Sequence, residues 1–359
     1  MKFFFRLLLG GLFFLLLLRL LLFDGPVLKP TPLPQAGIVD MHCHVACLDE
    51  KNGCFVAGSL RHNFRFPIYL RAMGTSIEEL KEKGDGVVAE NIHQQITASQ
   101  HVSKAVILAM DGAVDRSTGL LNRDATMVYV PNSFVAQQSK KYDTLLFGAS
   151  VNPYRKDALL RLEKVKKQGA VLIKWIPSIM DIDPSDRLLK AFYLKMIELD
   201  LPLLTHTGQE KSFTSANDTL ADPKRLKFPL DLGVVVIAAH IATTGENEGE
   251  SDFERILPMF REYPNLYADI SSLTQVNKLG YLNRALRHPY VLPHLIYGTD
   301  WPLQFFPIVS PWYFTLNLSL ASAWEISRMD NTWDRDVALK QALGVPASIF
   351  ASGGKLLKQ

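Results

Sequence analysis

The chain has 359 residues, with 39 Lys and Arg against 36 Asp and Glu and a net charge of +3. Lys2, Arg6 and Arg19 against Asp24 account for +2 of that charge, so the remainder is near neutral and carries no electrostatic footprint for nucleic acid. Its three cysteines do not make a disulfide framework. Cys47 and Cys54 either pair, if the chain is exported, or stay as unpaired thiols.

Residues 1–24 stand apart in composition. A basic start, Met1-Lys2-Phe3-Phe4-Phe5-Arg6, leads into an apolar run from Leu7 to Leu18, then Arg19 and Leu20-Leu21-Leu22-Phe23. A membrane span needs about 20 apolar residues, and 3–23 reaches that length if Arg6 and Arg19 snorkel to the interfaces. No small-residue cleavage pattern follows. The segment is expected to be a signal-anchor transmembrane helix, the alternatives being a cleaved signal peptide and a buried or interfacial helix. Lys2 and Arg6 favour its N-terminus in the cytoplasm, which would place the bulk of the chain outside it, in the periplasm if the cell is Gram-negative. Residues 25–36 form a proline-rich spacer.

Beyond the spacer, short apolar runs alternate with amphipathic stretches. The runs predict eight strands: Ile38–His42, Ala105–Ala109, Leu145–Val151, Val171–Trp175, Pro202–His206, Val234–Ala239, Leu266–Ile270 and Leu295–Thr299. Helical patterns cover Lys156–Gln168, Ser185–Leu199, Phe253–Tyr263 and Tyr281–His288. From Lys174 to His206 is 32 residues, to His240 a further 34, to Ile270 a further 30 and to Asp300 a further 30. That spacing is the size of one βα unit. Eight units in series predict an α/β fold, a (β/α)8 TIM barrel over 37–352 followed by a short tail at 353–359. An open doubly wound sheet would announce a glycine-rich phosphate loop after its first strand, and none is present. The stretch from Val45 to Lys104 leaves the C-terminal end of the first strand as a candidate lid. It carries His62 and the basic residues Arg61 and Arg65.

The polar residues of interest recur at one end of these strands. On a strand, i and i+2 share a face, so His42 and His44 of Asp40-Met41-His42-Cys43-His44 present two imidazoles together while Cys43 points away. Lys174 closes the fourth strand, His206 the fifth and His240 the sixth, and Asp300 follows the eighth. Barrel closure brings these ends to one mouth, where imidazoles and a carboxylate suit Zn2+ or a similar divalent ion. His93 and His101 precede the second strand, and His288 and His294 the eighth, so these belong to the opposite face. Asp111, Asn152 and Asp269 are placed either to orient the ligands or to cap strand ends.

The set D-x-H-x-H, I-K-x-x-P, T-H-T-G, a strand-end His and G-T-D-W-P resembles the metal-dependent amidohydrolase superfamily, in particular its amidohydrolase-related branch of TIM-barrel hydrolases and decarboxylases. The resemblance covers about residues 37–305. It implies His42, His44, His206 and Asp300 as metal ligands, Asp300 also as general base, and His240 as a catalytic acid or base or as ligand of a second metal. Lys174 occupies the position that binuclear relatives carboxylate to bridge two ions, and that many one-metal relatives also keep. One ion, Zn2+, is the favoured count and two the alternative. The reaction implied is hydrolysis of a C–N or C–O bond (amide, lactone or ester) in a small substrate. The alternatives are metal-dependent decarboxylation of an aromatic or unsaturated acid, with Arg61 or Arg65 binding the carboxylate, and a non-catalytic membrane-tethered binding module. The expected partners are the small substrate and the membrane, without nucleic acid; a homo-oligomer is compatible with the sequence.

Overall fold

Eight parallel strands follow one another around a single sheet in chain order: β1 (Ile38–His44), β2 (Val102–Leu108), β3 (Leu145–Ala149), β4 (Ala170–Trp175), β5 (Leu203–His206), β6 (Val236–Ala239), β7 (Leu266–Asp269) and β8 (Leu295–Ile296). The computed structural model describes residues 2–22, 33, 37–213 and 216–357. Apart from Leu33, the predicted spacer therefore lies outside the described residues. β8 is short because its continuation meets β1 through separate hydrogen bonds. Met41 N donates to Tyr297 O at 3.2 Å, Asp300 N to His42 O at 2.8 Å and His44 N to Trp301 O at 2.9 Å. These contacts bring the first and last strands together into a nearly closed (β/α)8, or TIM, barrel.

The helices form where apolar residues recur at helical spacing, and they end for local reasons. The predicted 253–263 helix is two, Asp252–Ile256 and Met259–Glu262, with Pro258 between them, because proline lacks the N–H that a continuous helix needs. The segment between β1 and β2 folds as four helices, Gly58–Arg61, Arg65–Ala72, Ile77–Lys83 and Gly86–Ala98. A Cys47–Cys54 disulfide closes a small loop ahead of them.

The barrel has an inner and an outer apolar layer. Val39, Met41, Val106, Leu108, Leu172, Leu204, Ile237, Ala239 and Ile296 fill the interior, and a larger cluster joins the outer strand faces to the helices. The last helix, Ala347–Leu356, closes the floor, with Leu356 and Leu357 packed against the inner cluster. A Cβ on Gly353 would stand 2.8 Å from Met41 Cγ and 3.1 Å from Val39 O, so glycine is what lets this helix approach. This packing continues the domain past the boundary expected at 352 and holds residues predicted to be tail.

A helix also forms over Lys2–Leu22, and its described apolar side chains, among them Phe4, Leu7, Phe13 and Phe14, are exposed. Among the described residues no helix is long and apolar enough to cross a membrane. The segment predicted to span over 3–23 is thus seen as an apolar helix over Lys2–Leu22 with exposed side chains.

β1 carries the irregularity on which the mouth is built. Asp40 pairs with Ala105 and Cys43 with Ile107, so three steps on β1 match two on β2. That extra residue is a β-bulge, and a bulge reverses which residues face inward. Below it Val39 and Met41 point inward; above it His42 and His44 do. Asp40 and Cys43 face the outer layer, where Asp40 accepts from Thr299 Oγ1 at 2.6 Å, Thr299 N at 3.0 Å and Trp333 Nε1 at 2.8 Å. Asp40 thereby ties β1 to the β8 extension and to the helix Thr332–Ala342. Replacing Trp333 by Phe removes one donor from this buried carboxylate and is expected to cost about 1–3 kcal/mol. Urea denaturation should show the midpoint falling without a change in slope; an unaltered midpoint would mean that Asp40 does not need this bond.

Candidate metal centre and active site

At the upper end of the barrel, three ligand-bearing atoms face one point. His42 Nε2 lies 3.3 Å from His44 Nε2 and 3.4 Å from Asp300 Oδ1, and His44 Nε2 lies 3.2 Å from Asp300 Oδ1. Ligand atoms about 2.0–2.1 Å from a tetrahedral ion stand roughly 3.3–3.4 Å from each other. The observed triangle has that size, and its nitrogen and carboxylate donors are those a Zn2+-like ion takes. His42 is set for the role by its other nitrogen. Nδ1–H donates to Asp269 Oδ2 at 2.8 Å, leaving the Nε2 lone pair toward the triangle. Burial, reinforced by the nearby Lys174, lowers the His42 pKa to about 4 against the pull of Asp269, so the ring is neutral, as a ligand must be.

Asp300 is fully buried among these rings. Burial alone would push its carboxyl up, but the His44 hydrogen bond and the surrounding imidazoles hold it well below the usual carboxylate range. Its Oδ2 accepts from Ser272 Oγ. Left-handed backbone at Asp300 (φ 63°), Ser272 (φ 61°) and His240-Ile241-Ala242 (φ 59°, 47° and 51°) surrounds the site. Each such non-glycine residue costs on the order of 1–3 kcal/mol, and such strain collects at functional sites.

His240 lies beside the triangle, its ring stacked on His42 with centroids 5.1 Å apart. Its Nδ1 meets Ser271 Oγ at 2.7 Å and Ser271 O at 3.2 Å. The Ser271 hydroxyl donates to Asp269, so Nδ1–H is the donor toward Ser271 and Nε2 keeps its lone pair. Burial, with Lys278 adding to it, holds the ring far below its ordinary pKa. His42, His240 and Asp269 also lie close enough to be grouped as potential ligands. Their facing atoms are already joined by protons from His42 Nδ1 and Ser271, so this group is a hydrogen-bond network.

His206 is placed differently from the expectation. It lines the same cavity but stands outside the three-residue group, because Nδ1 is drawn toward Glu210 Oε2 at 3.5 Å and its ring meets His240 edge-on. Its Nε2 is buried without a partner, a donor still unsatisfied at the edge of the site. Lys174 is deep in the barrel, its Nζ 2.9 Å from His42 Nε2. Burial brings its pKa down to about 8, against the nearby Asp269, Asp300 and Glu210, so the neutral amine is accessible near neutral pH. Glu210, Ser271 and Ser272 carried no signal in the sequence; only their nearness to strand ends could have suggested them.

Of the expected orienting residues, Asp269 touches the histidines. Asp111 instead pairs with Arg155 and accepts from Asn152 N at 2.8 Å, tying together the loops after β2 and β3. Arg61 and Arg65, expected on the lid as substrate-binding residues, are not among the residues that line the cavity. On the helices Gly58–Arg61 and Arg65–Ala72, residues Leu60, Phe66, Tyr69 and Leu70 turn to the cavity by the 3–4 residue spacing of a helix face. Arg61 and Arg65 are exposed at its rim and donate to Leu48 O and Lys211 O. His62 is exposed as well.

The cavity above the triangle measures about 190 Å3 and is lined by His42, His44, Lys174, His206, His240, Asp300 and apolar side chains of the lid. That is small beside the roughly 300–1,000 Å3 of drug-sized pockets, so a small substrate fits it. Replacing Asp269 by Asn should leave the fold intact but weaken metal binding by about 10- to 100-fold, the usual loss when an orienting partner is removed. A competition titration against a chromogenic chelator measures it; wild-type affinity in Asp269→Asn would remove the orienting role.

A family model described as amidohydrolase matches residues 39–323. Comparison with curated proteins gives no match. Among solved structures, a TIM-barrel protein from Bordetella bronchiseptica is 17% identical, with 85% of this chain and 99% of that chain covered at a TM-score of 0.53. A putative 2-pyrone-4,6-dicarboxylic acid hydrolase from Pseudomonas putida is 13% identical, with 90% and 97% covered at 0.48. A 5-carboxyvanillate decarboxylase from Novosphingobium aromaticivorans is 12% identical, with 93% and 99% covered at 0.45. With the family model spanning most of the chain and a His42–His44–Asp300 group of metal-ligand geometry at the barrel mouth, this protein belongs to the amidohydrolase family of metal-dependent TIM-barrel enzymes.

Proposed function

We propose that the protein is a hydrolase of a C–N or C–O acyl bond in a small substrate, dependent on one divalent ion, with Zn2+ the best match to the donor set. The observation that carries this reading is the triangle of His42 Nε2, His44 Nε2 and Asp300 Oδ1 at 3.2–3.4 Å, open to a cavity of small-molecule size. A bound divalent ion supplies Lewis acidity, acidifying water and polarising a carbonyl near neutral pH. His42, His44 and Asp300 would hold it; His206, whose buried Nε2 has no partner among the described residues, lines the same cavity and would be the candidate for a fourth ligand.

The remaining chemistry falls to the protein. Asp300, ionised at neutral pH, accepts the proton of the attacking water as its oxygen bonds to the acyl carbon. It then passes that proton to the departing nitrogen or oxygen as the C–N or C–O bond breaks. Ser272 fixes the carboxylate plane for both transfers. His240, neutral and held through Nδ1, offers Nε2 as a hydrogen-bond acceptor that orients water or substrate. For the decarboxylase alternative, Arg61 and Arg65, expected to bind the carboxylate, do not line the cavity, so another cation there would have to take that role. A non-catalytic module is disfavoured by the complete ligand triangle. The Cys47–Cys54 disulfide supports an oxidising, extracytoplasmic setting, and the exposed apolar helix at the N-terminus would keep the barrel at a membrane surface.

The reading is tested by assaying the metal-loaded protein on amides, lactones, esters and aryl acids. Turnover of an acyl compound supports it, and CO2 release from an aryl acid with no acyl hydrolysis contradicts it. Asp300→Asn should fold and lower kcat by about 10²- to 10⁴-fold, the range for a lost general base; near-normal kcat would place the base elsewhere. Lys174→Ala should retain one ion per chain by elemental analysis. Two ions in the parent falling to one or fewer in the variant, with rescue by short-chain acids, would establish a carboxylated lysine bridge instead.

A further inference from the structure

Lys278 is a cation that the proposed chemistry does not use. It ends the 3-10 turn Val276–Lys278 on the loop after β7, lines the cavity, and has only 8% of its surface exposed. Among the described residues no hydrogen bond or ion pair reaches its ammonium. The carboxylates it faces are Asp300, Glu210 and Asp269, and each is committed elsewhere. Asp300 belongs to His42, His44 and Ser272, Glu210 to His206 and the backbone of Ser212, and Asp269 to His42 and Ser271. The ammonium of this largely buried side chain is therefore left for the open cavity that Lys278 lines.

The charge of the whole cavity sharpens this. Three lysines, Lys174, Lys211 and Lys278, line it against two carboxylates, Glu210 and Asp300, with Asp269 behind His42 as a third. Without a metal the charges balance; a divalent ion leaves the cavity with a positive surplus. Leu70 and Met73 of the lid, with Met110 and Val130, give the same cavity an apolar lining. An anion with a hydrocarbon body would match both surfaces.

We propose that Lys278 is the anion-recognition residue of this cavity, so that the substrate is a small carboxylic acid whose carboxylate pairs with Lys278. On the hydrolase reading above, its acyl carbon then reaches the His42–His44–Asp300 group while the lid covers its apolar body. The apolar lining favours an organic carboxylate, since inorganic phosphate has no hydrocarbon body to cover it.

Calorimetric titration of the metal-loaded full-length protein with benzoate, benzamide and inorganic phosphate tests this. Benzoate should bind more tightly than benzamide or phosphate. Lys278→Gln should weaken benzoate at least tenfold and leave benzamide unchanged, while Lys278→Arg should recover most of the loss. The metal-stripped protein should keep the preference for benzoate. Equal benzoate affinity in wild type and Lys278→Gln, no preference over benzamide, tighter binding of phosphate, or loss of the preference on stripping the metal would each overturn the proposal. If Lys278→Gln does not fold, the wild-type comparison with and without metal decides alone. Because binding rather than turnover is read, inactivity on acyl substrates would count against the hydrolase reading without touching this result.

Discussion

The extra residue in β1 between Asp40 and Cys43 is the constraint from which the mouth of the barrel follows. A regular strand would keep Val39, Met41, Cys43 and the residues in phase with them on the interior, and would send His42 and His44 into the helix layer. The bulge exchanges the two faces at the point where the inner apolar cluster ends. Aliphatic packing and metal ligation are thereby served by one continuous strand. Asp40 makes the exchange stable from outside, since its hydrogen bonds to Thr299 and Trp333 hold β1 against the segment that carries Asp300. Gly298 completes the fit on the inside: a Cβ there would stand 3.1 Å from His42 Cβ.

Electrostatics then sets the protonation states that ligation needs. Burial keeps His42, His206 and His240 neutral, while hydrogen bonds and neighbouring imidazoles keep Asp300 and Asp269 ionised. Asp269 organises the arrangement, binding His42 Nδ1–H, the Ser271 hydroxyl and the backbone N–H of His240 at once. The His42 Nε2 lone pair and the Asp300 carboxylate, facing one point, favour a cation among them. Lys174 supplies partial compensation from below, and its lowered pKa makes that proton removable when a metal arrives.

Much of this was legible in the sequence because barrel strands buried on both faces read as apolar runs, and because the βα repeat is close to constant in length. All eight strands fall within a few residues of the apolar runs, and the histidines, Lys174 and Asp300 lie at their ends by register alone. What escaped depended on loops and side-chain directions. Glu210 and Lys278 sit on loops after β5 and β7, where no periodicity constrains a side chain. Arg61 and Arg65 looked suited to substrate by charge, but the helical phase of the lid was hidden until its helices were placed. The pairing of Cys47 with Cys54 stayed open because a spacing of seven residues permits either state. Residues 353–357 looked like a tail because nothing in their composition shows that Gly353 lies against Met41.

The central claim is that one metal ion is held by His42, His44 and Asp300, and anomalous X-ray scattering from crystals of the metal-loaded protein tests it most directly. The account predicts a single peak at the absorption edge of the bound metal, about 2.0–2.2 Å from His42 Nε2, His44 Nε2 and an Asp300 carboxylate oxygen. A peak coordinated by other residues, or no peak in a crystal of protein shown to contain stoichiometric metal, would contradict it.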